Sequence, residues 1–180
     1  MKKITVLLTS LFLAFSFASC VNEASLQSYL VKSQDKKGMI TFDIPASILQ
    51  LRSDGASADA KKALNSLKKI NIVAMLYQDN AAELKAEKET IQGILKNSSY
   101  KSLMRFNQND MKVSLYYTGE ADAIDEIIVF GYGANKGVGI VRILGENINP
   151  NEIIKMIKDV KFDKNGLDLD SFSALFSEKK

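Results

Sequence analysis

The chain reads as an α+β protein: an antiparallel sheet, a mixed one being left open, that ends in a four-strand meander and is packed by helices. Three observations predict this. Apolar residues recur at helical spacing in several short segments of the first half. From Tyr100 onward the period changes to two. No repeat, low-complexity linker or internal boundary separates the halves, so both belong to one core.

The first segments alternate in type. Leu26, Tyr29 and Leu30 predict an amphipathic helix over Glu23–Ser33. Met39–Ile44 alternates apolar and polar residues as a strand does, and Pro45 suits a helix start, where a missing N–H costs nothing. Ile48, Leu49 and Leu51 fit one or two helical turns, and Ser53–Ala58 a turn. Ala60, Ala63, Leu64 and Leu67 mark the apolar face of a helix whose other face carries Lys61, Lys62, Lys68 and Lys69. Ile70–Tyr77 is a strand. Asn80 with Glu83 resembles a capping box. The helix it opens buries Leu84, Ile91, Ile94 and Leu95, turns Lys85, Glu87, Lys88 and Glu89 to solvent, and ends at Asn97–Ser99.

Four strands follow: Tyr100–Phe106, Met111–Tyr117, Ile124–Tyr132 and Val138–Leu144. Met111, Val113, Leu115 and Tyr117 share one face, and Lys112, Ser114 and Tyr116 the other. Ile127 to Phe130 is apolar on both faces and belongs inside the sheet. Asn149 caps a last clear helix, with Pro150 first, Glu152 third, and Ile153, Ile154 and Ile157 buried. A weaker helix lies near Asp170–Phe176.

The first 20 residues carry the strongest functional signal. Lys2 and Lys3 precede an apolar run, Ile4–Phe17, and then Ala18, Ser19 and Cys20. This is an export signal with a small-residue cleavage site. The run is shorter than the ~20 apolar residues of a membrane span. The only cysteine sits at the cleavage point, between Ser19 and Cys20, where a peptidase exposes it and its thiol takes a lipid. The pattern resembles a bacterial lipoprotein signal, with Phe17 where Leu is commonest. Residues 1–19 are then the signal peptide, 20–25 a short lipidated tether, and 26–180 the domain. Val21-Asn22-Glu23 lacks the acidic run of many surface-displayed lipoproteins, so the expected address is the cell envelope, facing the periplasm from the inner or outer membrane.

Composition excludes much chemistry. Removing Lys2 and Lys3 lowers the formal net charge from +3 to +1, which leaves no electrostatic footprint for nucleic acid. There is no second cysteine for a disulfide. There is no histidine, the usual general base and commonest transition-metal ligand. The glycines at 131, 133, 137 and 139 lead into a strand, which marks a hairpin turn rather than a dinucleotide loop. Ser98 and Lys101 have the spacing of serine acylases without the partner motifs. Asp163, Asn165, Gly166, Asp168 and Asp170 imitate a calcium loop, but Lys161 and Phe172 occupy ligand slots. No catalytic residue, metal or cofactor is expected.

Leu169, Phe172, Leu175 and Phe176 form an apolar stripe whose simplest role is docking on the domain's own core. Tyr116 and Tyr132, with Phe172 and Phe176, are the candidate interaction surface, packing under a helix being the alternative for the tyrosines. The expected role is a membrane-tethered, non-catalytic module for an envelope protein partner. A binding protein for a small apolar or envelope-derived ligand is second, and a histidine-independent hydrolase third.

The order of features carries a resemblance. After the lipoprotein signal come Ile44-Pro45, Lys69-Ile70-Asn71-Ile72, Val113-Ser114-Leu115-Tyr116, Glu126-Ile127-Ile128-Val129 and Leu144-Gly145-Glu146-Asn147-Ile148. Together they resemble domain-of-unknown-function family 4252 (DUF4252), small lipoproteins of Bacteroidetes-type bacteria. The resemblance implies no assigned activity and no functional residues to carry over. An association of members with extracytoplasmic sigma-factor and anti-sigma genes would imply envelope sensing.

Overall fold

The computed structural model describes residues 25–51, 57–108, 110–153 and 160–161. Its centre is a six-stranded sheet in the order β1-β3-β7-β6-β5-β4, antiparallel at every ladder. The strands are β1 (Ile40–Pro45), β3 (Leu67–Leu76), β4 (Lys101–Gln108), β5 (Met111–Glu120), β6 (Ala123–Gly133) and β7 (Gly137–Ile148). A two-residue β2 (Gln50–Leu51) pairs with β8 (Val160–Lys161). The last four long strands form the expected meander. β6 lies between β5 and β7 with Ile127, Ile128 and Phe130 buried, because its two faces feed different cores.

Among the described residues three full helices flank the sheet, α1 (Leu26–Gln34), α2 (Ala58–Ser66) and α3 (Ala81–Ile94), and a further one begins at residue 150. Period-two alternation sends the two sets of side chains to opposite faces. On the first face, Val73, Met75, Ile128, Phe130, Val138 and Ile140 pack against Leu26, Tyr29 and Leu30 of α1 and Leu84, Ile91 and Ile94 of α3. On the second, Ile72, Ile127 and Ile143 pack against Ala60 and Ala63 of α2, with Ile148 and Ile153. Small alanines let α2 lie close to the strands. Gly137 shows the same economy at the hairpin tip. Its φ is +137°, and a Cβ there would collide with the Met75 carbonyl oxygen.

Local chemistry explains the element ends. Ser25 and Ser57 cap α1 and α2, accepting from the backbone N–H of Ser28 and Ala60 at 3.1 Å each. The helix that begins at residue 150 is capped as expected, the Asn149 side chain accepting from Asn151 N–H at 3.0 Å. Three expectations are corrected. Leu67, Lys68 and Lys69, expected on the helix, begin β3, because α2 ends at Ser66 and Leu67 already pairs with Gly145 of β7. The Asn80 side chain does not cap α3: it accepts from Gln78 N–H at 2.8 Å and donates to the Leu76 carbonyl at 3.1 Å, tying the turn back to β3. The helical turns expected near Ile48–Leu51 shorten to a 3₁₀ turn, Ala46–Ile48, after Pro45, and Leu51 pairs with Val160 in a strand.

Candidate functional site

Polar side chains on the first face gather under α1. Glu87 of α3, expected at the surface, is 3% exposed. Its Oε2 accepts from the Tyr29 hydroxyl at 3.0 Å, and its Oε1 pairs with the Lys36 ammonium. Burial in α3 follows from position: 84, 87, 91 and 94 form one stripe at helical spacing. Burial first, and the negative charge of Glu87 second, push the Tyr29 phenol well above its usual range. Tyr29 therefore stays protonated and serves as a donor to Glu87.

A second carboxylate sits on the sheet itself. Arg142 Nε of β7 donates to Glu126 Oε1 of β6 at 2.5 Å, and the Thr118 hydroxyl donates to Glu126 Oε2 at 3.4 Å. Arg142 also donates to the Gln27 side chain of α1. Tyr100 stands beside this pair. Burial, then the charge of Glu126, raise its pKa against the opposing charge of Arg142. At the far end of α1, Asp43 of β1 meets Lys69 at 2.8 Å, Gln34 at 3.5 Å and the Asn71 amide. Burial would raise the Asp43 carboxyl, but these hydrogen bonds and the Lys69 charge together hold it below its usual range.

Both oxygens of Glu87 and of Glu126 already have protein partners. Glu87 and Glu126 are 3% and 7% exposed. Among the described residues no three of His, Cys, Asp and Glu converge as a metal site requires. The acylase-like Ser98–Lys101 spacing does not assemble either. Lys101 is turned to the Gly119 carbonyl at 2.9 Å and to Glu120 at 3.5 Å. The polar cluster therefore orients α1 on the sheet.

The exposed chemistry lies elsewhere. Every side chain from Lys101 to Asn107 on β4, an edge strand, is exposed. Leu103, Met104 and Phe106 are 39%, 45% and 39% exposed. Register puts Met104 beside Leu115 and Phe106 beside Val113, extending the second face beyond the described core. Tyr116 and Tyr132 lie on the first face, partly buried and packed against its core, with the Lys88 ammonium 4.5 Å from the Tyr132 ring centre. Ser19, Cys20, Phe172, Phe176 and the acidic loop at 163–170 lie outside the described residues. The bare β4 edge escaped sequence reading because strand order is not written in any local pattern.

No helix among the described residues is long and apolar enough to cross a membrane. No curated protein and no solved structure matches the chain significantly. A family profile does, that of a domain of unknown function, DUF4252, over residues 30–156. This match covers more than two thirds of the chain and all six strands of the large sheet, and the protein belongs to that family.

Proposed function

We propose that this member of the DUF4252 family is a lipoprotein, held in the cell envelope by a lipid on Cys20, whose domain is a non-catalytic interaction module for a protein partner on the periplasmic side. The carrying observation is the sole cysteine at the end of a charged and then apolar export signal. One further feature supports the reading: the buried carboxylates Glu87 and Glu126 are engaged in holding α1 on the sheet, Glu126 through Arg142. A shared membrane would confine module and partner to one surface and raise their effective concentration without new contacts.

Labelled palmitate should enter the wild-type protein and not the Cys20→Ser variant, which should be recovered as a soluble or unprocessed product. Incorporation into neither, with both equally soluble, overturns the lipid anchor. Cross-linking in intact envelopes, followed by capture of the protein, should return the same partner repeatedly. Failure to return any overturns the interaction role.

A further inference from the structure

The β4 edge carries an unusual combination. Its apolar residues Leu103, Met104 and Phe106 are exposed, and its only charged residues, Lys101 and Arg105, are both basic. Lys112, opposite Asn107 on β5, adds a third basic group at the same margin, whose acidic residues are Asp110 in the turn and Glu120 at the end of β5. Lys101 is partly engaged by Glu120, while Arg105 and Lys112 are exposed. The register shift between Ser102 and Met104 falls at Leu103, so the edge is interrupted where its apolar side chain projects. Like charges and a bulge are devices that discourage pairing with another strand. The same features suit an anionic, partly apolar surface that does not demand regular strand register.

The start of the described chain points to which surface. α1 begins at Leu26, and Tyr100, the residue just before β4, packs against the same core cluster as Leu26. Cys20 lies five residues before the Ser25 cap, a span of at most ~18 Å. Leu103 to Phe106 lie roughly 10–20 Å along β4 from Tyr100 at the rise of a strand. A lipid on Cys20 therefore keeps this stretch of β4 within reach of the bilayer.

We infer that the β4 edge is a membrane-contact element: it lies in the headgroup layer of the anionic phospholipid bilayer that holds the anchor. This rests on the lipid reading of Cys20. Leu103, Met104 and Phe106 enter the headgroup–acyl boundary, while Arg105 and Lys112 meet lipid phosphates. The outward N–H groups of β4 donate to phosphate oxygens or interfacial water. Those backbone groups also limit the depth, because hydrocarbon offers them no partner. Each basic side chain near an anionic surface is worth roughly fivefold in partitioning. The domain is thereby held in one orientation instead of swinging on its tether.

The chain contains no tryptophan, so Leu103→Trp introduces a single fluorophore. The full lipoprotein carrying it is reconstituted into phosphatidylcholine vesicles with or without phosphatidylglycerol, using lipids brominated near the headgroup. With phosphatidylglycerol, emission should shift to the blue and be quenched about twofold, as for a side chain at the headgroup–acyl boundary. Adding Arg105→Glu should reverse most of the quenching. Ile48→Trp, after the opposite edge strand, is 43% exposed and should remain unquenched. Flotation with the vesicles but no quenching of Leu103→Trp overturns the edge contact and leaves the anchor standing. Failure to float overturns the anchor, and this inference with it. Quenching protection accompanied by cross-links from β4 to another protein chain overturns the inference in favour of a protein interface.

Discussion

The inner strands β3, β7 and β6 and the outer ribbon β5–β4 belong to one sheet but obey different rules. β6 and β7 supply Ile127, Ile128, Phe130, Ile140 and Ile143 to cores on both faces. Of β4, nothing from Lys101 to Asn107 is buried. β5 stands between, with most of its side chains half-buried. The difference teaches that the inner strands are held by packing, whereas β4 is held mainly by its ladder to β5, with Lys101 bonded to the end of that strand, and its other exposed side chains are left for other purposes.

Substitution separates the two regions most sharply. Phe130→Ala, at a site 2% exposed, should cost about 3–5 kcal/mol in denaturant unfolding. Phe106→Ala on β4 should stay within about 0.5 kcal/mol. Equal costs would break the comparison. Glu126→Ala comes next, at about 3 kcal/mol, because it leaves the largely buried Arg142 guanidinium without its carboxylate. Glu87→Ala should cost less, since Lys36 has a half-exposed ammonium that can return to water. Asn149→Ala removes the cap of the helix beginning at residue 150 and should cost about 1 kcal/mol.

The smallest effect is one of pH. Tyr29 has a pKa raised in the folded state, so its contribution is complete below the unfolded phenol's value of about 10. Above that pH the unfolded chain releases a proton that the folded chain retains, and stability falls. Thermal unfolding of wild type and Tyr29→Phe from neutral to alkaline pH should show a shallower alkaline decline in the variant. Identical declines would remove Tyr29 from the account.

Much of the fold was legible because its signals are local. The alternation Lys112-Val113-Ser114-Leu115-Tyr116 sets the two faces of β5, and Leu26, Tyr29 and Leu30 set the buried side of α1. The Asn149-Pro150 start was equally plain. Glu87 was misassigned because a charged residue on an otherwise apolar stripe is usually solvated. Its partners Tyr29 and Lys36 lie more than 50 residues away in the chain. Its place on the stripe with Leu84, Ile91 and Ile94 was the available clue. The Asn80 cap failed for a similar reason: Leu76 and Gln78 compete for the amide within one turn, and which wins depends on how β3 ends. Nothing in the sequence ranks β4 as an edge, so the exposed basic and apolar margin emerged only with strand order.

The brace between α1 and the sheet has a mechanical consequence. A force applied at the amino end of α1 meets Arg142 at Gln27 and, further along, Glu87 at Tyr29. These attachments lead to two different elements, so the load divides before it can peel the helix away. A pull entering there would drag the whole body along.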